Sequence, residues 1–164
     1  MPYSTRNLSI SSILFPSLNS SLEGISADLF FRGCRRHCSG CHNLELQTFQ
    51  APNKSAMDVV KAVQDNQVKI LTLMGGEPLD VDHDALINLL EALKELCPDT
   101  RINLYTGYEL EEIPGDIKSY VGSIKTGMYD ETKLNKRPCF LASSNQRYYQ
   151  RNSTGEFVQV YPAL

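Results

Sequence analysis

The chain has 164 residues, 41% of them hydrophobic and 21% charged, with a formal charge of -3; this suits one ordinary globular unit and excludes disordered or collagen-like classes. With no net positive field and no long basic run, binding to a nucleic-acid backbone is disfavoured. No stretch approaches the roughly 20 apolar residues of a membrane helix, and Met1 to Ser21 carries one arginine and only a short, broken apolar run, so a cytoplasmic protein without membrane or nucleic-acid partners is expected.

In chain order, Ala27 to Arg32 is a short apolar run that reads as a buried strand feeding straight into a cysteine-rich loop. Ser55, with Asp58 three residues later, is a helix cap, and Met57, Val60 and Val63 follow at helical spacing, predicting about three turns. Val68 to Met74 is β-branched and apolar and stops at Gly75-Gly76, the pattern of a buried strand ending in a tight loop. Asp82 caps a second helix whose Leu86, Leu89, Leu90, Leu93 and Leu96 keep one face until Pro98 ends it. Arg101 to Thr106 reads as a strand, Glu109 to Tyr120 as a short helical or irregular piece, and Val121 to Thr126 as a further strand. Strand alternating with helix predicts an α/β fold with a mostly parallel sheet. Beyond Gly127 the chain turns polar, with short strands expected near Arg147 to Gln150 and Phe157 to Tyr161. No repeat or linker divides it, so a single domain over 1–164 is expected, with an N-terminal segment 1–22, a βα core 23–127 and a C-terminal extension 128–164.

The stretch from Phe30 to Asn43, FFRGCRRHCSGCHN, holds three of the five cysteines. An odd total with three clustered makes a disulfide framework a poor explanation. Thiolates bind zinc and iron-sulfur clusters alike, so Cys34, Cys38 and Cys41 do not by themselves name a metal. A structural zinc completed by His37 or His42 would make the loop a binding module without activity. A four-iron cluster held by three thiolates would leave one iron open to a small molecule. Cys97, before Pro98, and Cys139, after Pro138, read as small buried hydrophobes rather than ligands.

The spacing Cys34-x-x-x-Cys38-x-x-Cys41 after a strand resembles the signature of the radical S-adenosylmethionine enzymes. Gly75-Gly76-Glu77-Pro78, one helix and one strand downstream, resembles that superfamily's segment for the methionine moiety of the cosubstrate. Within the superfamily, Glu23 to Asn43, Leu73 to Asp80 and Ser123 to Tyr149 together resemble the activating proteins of anaerobic ribonucleoside-triphosphate reductase. The last piece, Ile124-Lys125-Thr126-Gly127 followed by Ser144-Asn145-Gln146-Arg147, discriminates best. Related activases often carry a Gly-Pro-Gly-like stretch where this chain has Glu23-Gly24-Ile25, and an aromatic residue beside the third cysteine where it has Gly40 and His42.

The resemblance implies a partial (βα) barrel of the radical enzyme type, since full barrels usually need about 200 residues or more. It implies a 4Fe-4S cluster on Cys34, Cys38 and Cys41 with an open iron that receives S-adenosylmethionine. It implies cosubstrate contacts from Cys41, His42, Asn43, Gly75, Gly76, Glu77, Pro78 and Lys125. The expected activity is cleavage of the cosubstrate to a 5′-deoxyadenosyl radical that takes hydrogen from a glycine of the reductase large subunit, with a reduced flavodoxin-like protein as electron donor. A side chain at Gly76 is expected to block the cosubstrate and leave the cluster intact. Arg35 and Arg36 are expected to be exposed, while Asn145, Gln146 and Arg147 either face the partner or cap the sheet. Other small radical enzymes, a 7-carboxy-7-deazaguanine synthase or a formate lyase activase, share most of these features.

Overall fold

The computed structural model describes residues 3, 6–136 and 140–162. In chain order the strands are β1 (Asn7–Leu8), β2 (Ile10–Ser17), β3 (Ser26–Phe31), β4 (Lys54–Ser55), β5 (Ile70–Gly75), β6 (Arg101–Tyr105), β7 (Ser123–Thr126), β8 (Arg147–Arg151) and β9 (Phe157–Tyr161). The α-helices are α1 (Ala56–Asp65), α2 (His83–Leu96) and α3 (Gly115–Tyr120). Seven strands form one sheet in the order β2-β3-β5-β6-β7-β8-β9. Its four central strands, β3, β5, β6 and β7, run parallel, while β2, β8 and β9 add antiparallel edges. This is the mixed α/β arrangement that strand and helix alternation predicts, and it sets the carboxyl ends of four strands on one rim.

The helices form where their caps and apolar stripes allow. Ser55 and Asp58 make a reciprocal capping box at α1, and the Asp82 carboxylate accepts the Ala85 N–H at the start of α2, so orphan amides at both starts are satisfied. Val59, Val60 and Val63 of α1 and Leu86, Leu89, Leu90 and Leu93 of α2 are buried in one core with Leu29, Phe31, Leu71, Leu73 and Leu104 of the sheet. The strand after α1 begins later than the apolar run suggests. Gln67 adopts a left-handed φ of 51° and Val68 N bonds back to Val63 O at 3.0 Å, so Val68 closes the helix instead of opening the strand. Among the described residues no helix is long and apolar enough to cross a membrane.

Two features of the sheet escape the pattern of the sequence. The broken apolar run of the N-terminal segment forms β2, paired with β3 through Ile13 to Leu29 and Leu14 to Asp28. Pro16 and the exposed Leu14 and Phe15 are acceptable there because an edge strand pairs on one side only. At the opposite rim, the Glu23 carboxylate accepts hydrogen bonds from Ser21 Oγ (2.6 Å), Ser123 Oγ (2.7 Å) and Gln150 Nε2 (2.6 Å), and Arg101 Nη2 lies 3.3 Å away. Burial pushes this carboxyl up, but the hydrogen bonds and the guanidinium outweigh it and hold the pKa below its ordinary value. One side chain thus ties together the amino-terminal ends of the sheet.

Leu89, fully buried in α2, carries a test of this core. Leu89→Ala should cost about 2 to 5 kcal/mol, read as a lowered urea midpoint; a midpoint within the error of the native chain would mean that α2 does not seal the sheet.

Candidate metal centre

The site begins as a backbone seam between two neighbouring strand ends. β3 stops at Phe31 and β5 at Gly75, a hydrogen-bonded parallel pair. Beyond them, Gly76 N donates to Phe31 O (2.9 Å) and Glu77 N to Gly33 O (2.8 Å), while Gly33 N and Cys34 N donate to Leu46 O (2.8 Å) and Gln47 O (3.0 Å). The cysteine loop therefore leaves the sheet, turns, and is stitched back at its base. Only glycine fits the seam. At Gly75, with φ 109°, a Cβ would lie 2.7 Å from Phe31 N, and at Gly76 one would lie 2.5 Å from Gly33 O and 2.9 Å from Leu46 O. The direction at Gly76 differs from the sequence expectation, because an added side chain would strike the base of the cysteine loop rather than a cosubstrate.

Two buried carboxylates fasten the seam to the next strand. Glu77 accepts from Thr106 Oγ1 (2.7 Å), Gly107 N (2.7 Å) and Leu79 N (3.1 Å). Its carboxyl is pushed up to about 7 by burial, against the pull of those donors. Asp80 accepts from Arg35 N (2.6 Å) and Tyr108 OH (2.7 Å), so it pins the cysteine loop directly. In the sequence Asp80 is only the end of the Leu73 to Asp80 motif; its signal is an acid two residues beyond Pro78 and three before the next helix.

Cys34, Cys38 and Cys41 all line one cavity of about 280 Å³, bounded on the other side by Met74, Gly75, Gly76 and Glu77, and none of the three forms a disulfide. Cys34 Sγ accepts Arg36 N and Cys41 Sγ accepts Asn43 N, each at 3.4 Å. Burial pushes the Cys34 and Cys38 thiols up; the Arg36 and His37 amides oppose it at Cys34, and the Tyr129 amide and the Arg36 charge oppose it at Cys38. These donors are placed to stabilise thiolates once a metal supplies positive charge. Among the described residues no three Cys, His, Asp or Glu side chains come together as ligands of a single ion. The three unpaired thiols share the cavity wall, a donor set whose chemistry suits iron-sulfur or zinc ligation.

Of the other expected contacts, His42, Asn43 and Lys125 line the same cavity, and Pro78 does not. Pro78 is buried in a 3₁₀ turn, Pro78–Asp80. The exposed His42 ring stands 5.1 Å from Tyr129, tilted by 45°. His37 is also exposed, with Nδ1 3.2 Å from Gln47 Oε1. Lys125, near the end of β7, holds Nζ 4.0 Å from the Tyr105 ring centre and 5.8 Å from that of Phe140. Burial lowers its pKa to about 8.

Arg35 is exposed as expected, with 70% of its side chain accessible. Arg36 is not: its side chain is only 23% accessible and its guanidinium carbon lies 3.6 Å from the centre of the Tyr108 ring. Gln146 is buried and cannot present itself to a partner. Its Nε2 donates to Gly127 O (3.1 Å) and its Oε1 accepts from Ala142 N and Ser143 N (3.1 and 3.2 Å). Asn145 Nδ2 donates to Met128 O (2.8 Å), while Arg147 Nη1 donates to Ser144 O and Gln146 O, both at 2.8 Å. These residues hold a strap, 127–136, across the cysteine loop. Cys97 is buried in the core, and Cys139 lies outside the described residues.

A family model described as a 4Fe-4S single cluster domain matches residues 22–149. The anaerobic ribonucleoside-triphosphate reductase-activating protein of Pasteurella multocida (strain Pm70) is 30% identical over 140 residues, covering 78% of this chain and 89% of that protein. The protein of the same name from Enterobacteria phage T4 is 32% identical over 132 residues, 77% and 84% of the two chains. That of Haemophilus influenzae is 28% identical over 134 residues, 76% and 86%. The chain belongs to the family of these activating proteins. The region matched by the 4Fe-4S domain contains the whole cavity wall described above.

Two outcomes follow from the seam. Gly76→Ala should lower iron and sulfide uptake as well as stability, because the Cβ displaces the loop base; full uptake measured by iron content and absorbance would contradict the packing. Glu77 is held protonated more tightly in the folded chain than at its ordinary value of 4.5. Its stabilising contribution is therefore complete below about 4.5 and lost as pH rises to about 7, roughly 3 kcal/mol in all. Urea midpoints of the metal-free chain should fall over that window relative to Glu77→Gln, and parallel profiles would sink the assignment.

Proposed function

We propose that the chain is a radical S-adenosylmethionine activase whose target is an anaerobic ribonucleoside-triphosphate reductase, from which it removes a hydrogen at a glycine Cα. The observation that carries this reading is the meeting of two backbone loops. A Cys-x-x-x-Cys-x-x-Cys loop and a Gly-Gly edge share one cavity at the carboxyl rim of parallel strands, where open α/β sheets receive their ligands. The names of the relatives support the choice of target.

Cys34, Cys38 and Cys41 would hold a 4Fe-4S cluster, leaving one iron without a protein ligand. When bound, the reduced cluster and S-adenosylmethionine supply one electron and the carbon-sulfur cleavage that yields methionine and a 5′-deoxyadenosyl radical. The protein's part is positioning and exclusion of water. Gly75 and Gly76, packed on the base of the cysteine loop by their bare side, would turn main chain of the cavity wall toward the methionine moiety. His42 and Tyr129 offer ring faces at the mouth, and Lys125 presents a partly dehydrated ammonium to a carboxylate or ribose hydroxyl from the far wall. A sheet that does not close into a full barrel leaves room for a loop of a large partner, and a reduced flavodoxin-like protein is the proposed electron source.

Anaerobic reconstitution with iron and sulfide, then dithionite and S-adenosylmethionine, should release 5′-deoxyadenosine. Cys34→Ala, Cys38→Ala and Cys41→Ala should each fall to the enzyme-free background. Adding the reductase should produce a glycyl radical signal in electron paramagnetic resonance. A colourless preparation with one zinc per chain, or an undiminished cysteine variant, would refute the proposal.

A further inference from the structure

Arg36 lines the cavity and carries a charge, yet its setting has no part in the scheme above. Its stem lies against Gly107, where a Cβ would meet Arg36 Cγ at 3.2 Å. Its guanidinium stacks on Tyr108 at 3.6 Å, and Nη1 reaches Met128 Sδ at 3.8 Å. Two separate segments, 107–108 and the strap at 128, thus fix the position of the charge, and a half-exposed acid offsets it only in part. The nearest acid, Glu112, has Oε2 3.7 Å from Nη2, beyond a hydrogen bond. Nε and Nη2 are both buried and have no hydrogen-bond partner. These two atoms form the side-on edge of the guanidinium, the pair that normally engages an anion. Leaving them dry and without a hydrogen bond is costly, and the cost is offset if negative charge develops nearby. Arg36 also lines the cavity with the three cysteines, donates its own amide to Cys34 Sγ, and projects its charge onto Cys38.

We propose that Arg36 is a positioning residue for electron entry: its fixed, largely dehydrated positive charge raises the reduction potential of the cluster held by Cys34, Cys38 and Cys41. The inference rests on the cluster assignment made above. One electron from an external reductant makes the cluster one unit more negative, and guanidinium groups keep their proton throughout. A cation at fixed distance therefore stabilises the reduced form over the oxidised one, through net charge and local polarity rather than through ligation. Stacking on Tyr108 holds that charge in place, and Glu112 partly offsets it.

The test is a dithionite titration of the reconstituted full chain, followed by electron paramagnetic resonance. At the native midpoint, Arg36→Gln should lower the ratio of reduced to oxidised cluster about tenfold, a shift of about 59 mV to more negative potential for a one-electron couple. Arg36→Lys, which keeps the charge, should stay within about threefold of the native chain. Glu112→Gln, at an exposed site and still able to accept the Glu109 amide, should shift the midpoint the other way. An unshifted midpoint in Arg36→Gln, or a fall in Arg36→Lys as large as in Arg36→Gln, overturns the proposal. If Arg36→Gln takes up no cluster, Glu112→Gln decides: an upward shift supports the role and an unchanged midpoint rejects it. A native chain that takes up no cluster sinks both this inference and the cluster assignment, whereas a loaded cluster with an unmoved potential sinks this inference alone.

Discussion

The four backbone hydrogen bonds that join Phe31, Gly33 and Cys34 to Gly76, Glu77, Leu46 and Gln47 are the constraint on which the site depends. A parallel sheet brings two strand ends side by side, but it does not dictate where their loops go. Here the amides beyond β5 are spent on the carbonyls of the cysteine loop, so the thiols are located by main chain rather than by side-chain packing. That explains why the seam tolerates no Cβ at Gly75 or Gly76, and why the first cysteine is buried while the second and third are partly open. Backbone bonds in a buried setting are costly to leave unmade, so the base of the cavity behaves as part of the sheet.

Glu77 and Asp80 extend that constraint sideways. Each is a buried carboxylate, and each is kept tolerable by several donors rather than by a full ion pair. Glu77 joins the end of β5 to the residues after β6, and Asp80 joins the cysteine loop to Tyr108. Tyr108 in turn carries the Arg36 guanidinium on its ring face. The acids, the tyrosine and the arginine thus form one chain of contacts from the sheet to the cavity wall, and removing Tyr108 would take a donor from the buried Asp80 carboxylate.

What could be read in the sequence was whatever local chemistry dictates. Ser55 with Asp58, the leucine stripe of α2, and the β-branched run into Gly75-Gly76 each carry their own signal within a few residues, and the observed elements follow them within about two positions. The cysteine spacing likewise named its own loop. What could not be read was what depends on partners distant in sequence. The Ile10–Ser17 strand has a proline and several serines, and only its pairing with β3 makes it a strand. Arg36 looks like an ordinary loop arginine until Tyr108 and Met128, which follow it by about 70 to 90 residues, are folded over it. Gln146 looks available to a partner until its amide is seen closing the strap on Gly127.

The two sides of the cavity differ in what holds them. The base is buried and bonded through main chain. The strap side meets the cysteine loop mainly through side chains, Glu131 on Ser39, Tyr129 on His42 and Met128 on Arg36, with the Tyr129 amide turned to Cys38 as its main-chain contribution. Gln146 and Asn145 anchor the strap from behind, so its root is fixed while its crossing is lightly held. Local opening follows the density of buried contacts, so displacing the crossing disturbs a few mostly exposed contacts, whereas displacing the base breaks the sheet. A rigid floor beneath a lightly held wall lets the three thiols keep their geometry while the mouth of the cavity adjusts. The same asymmetry sets Arg36 apart, because it belongs to the cysteine loop yet touches both the Tyr108 side and the strap.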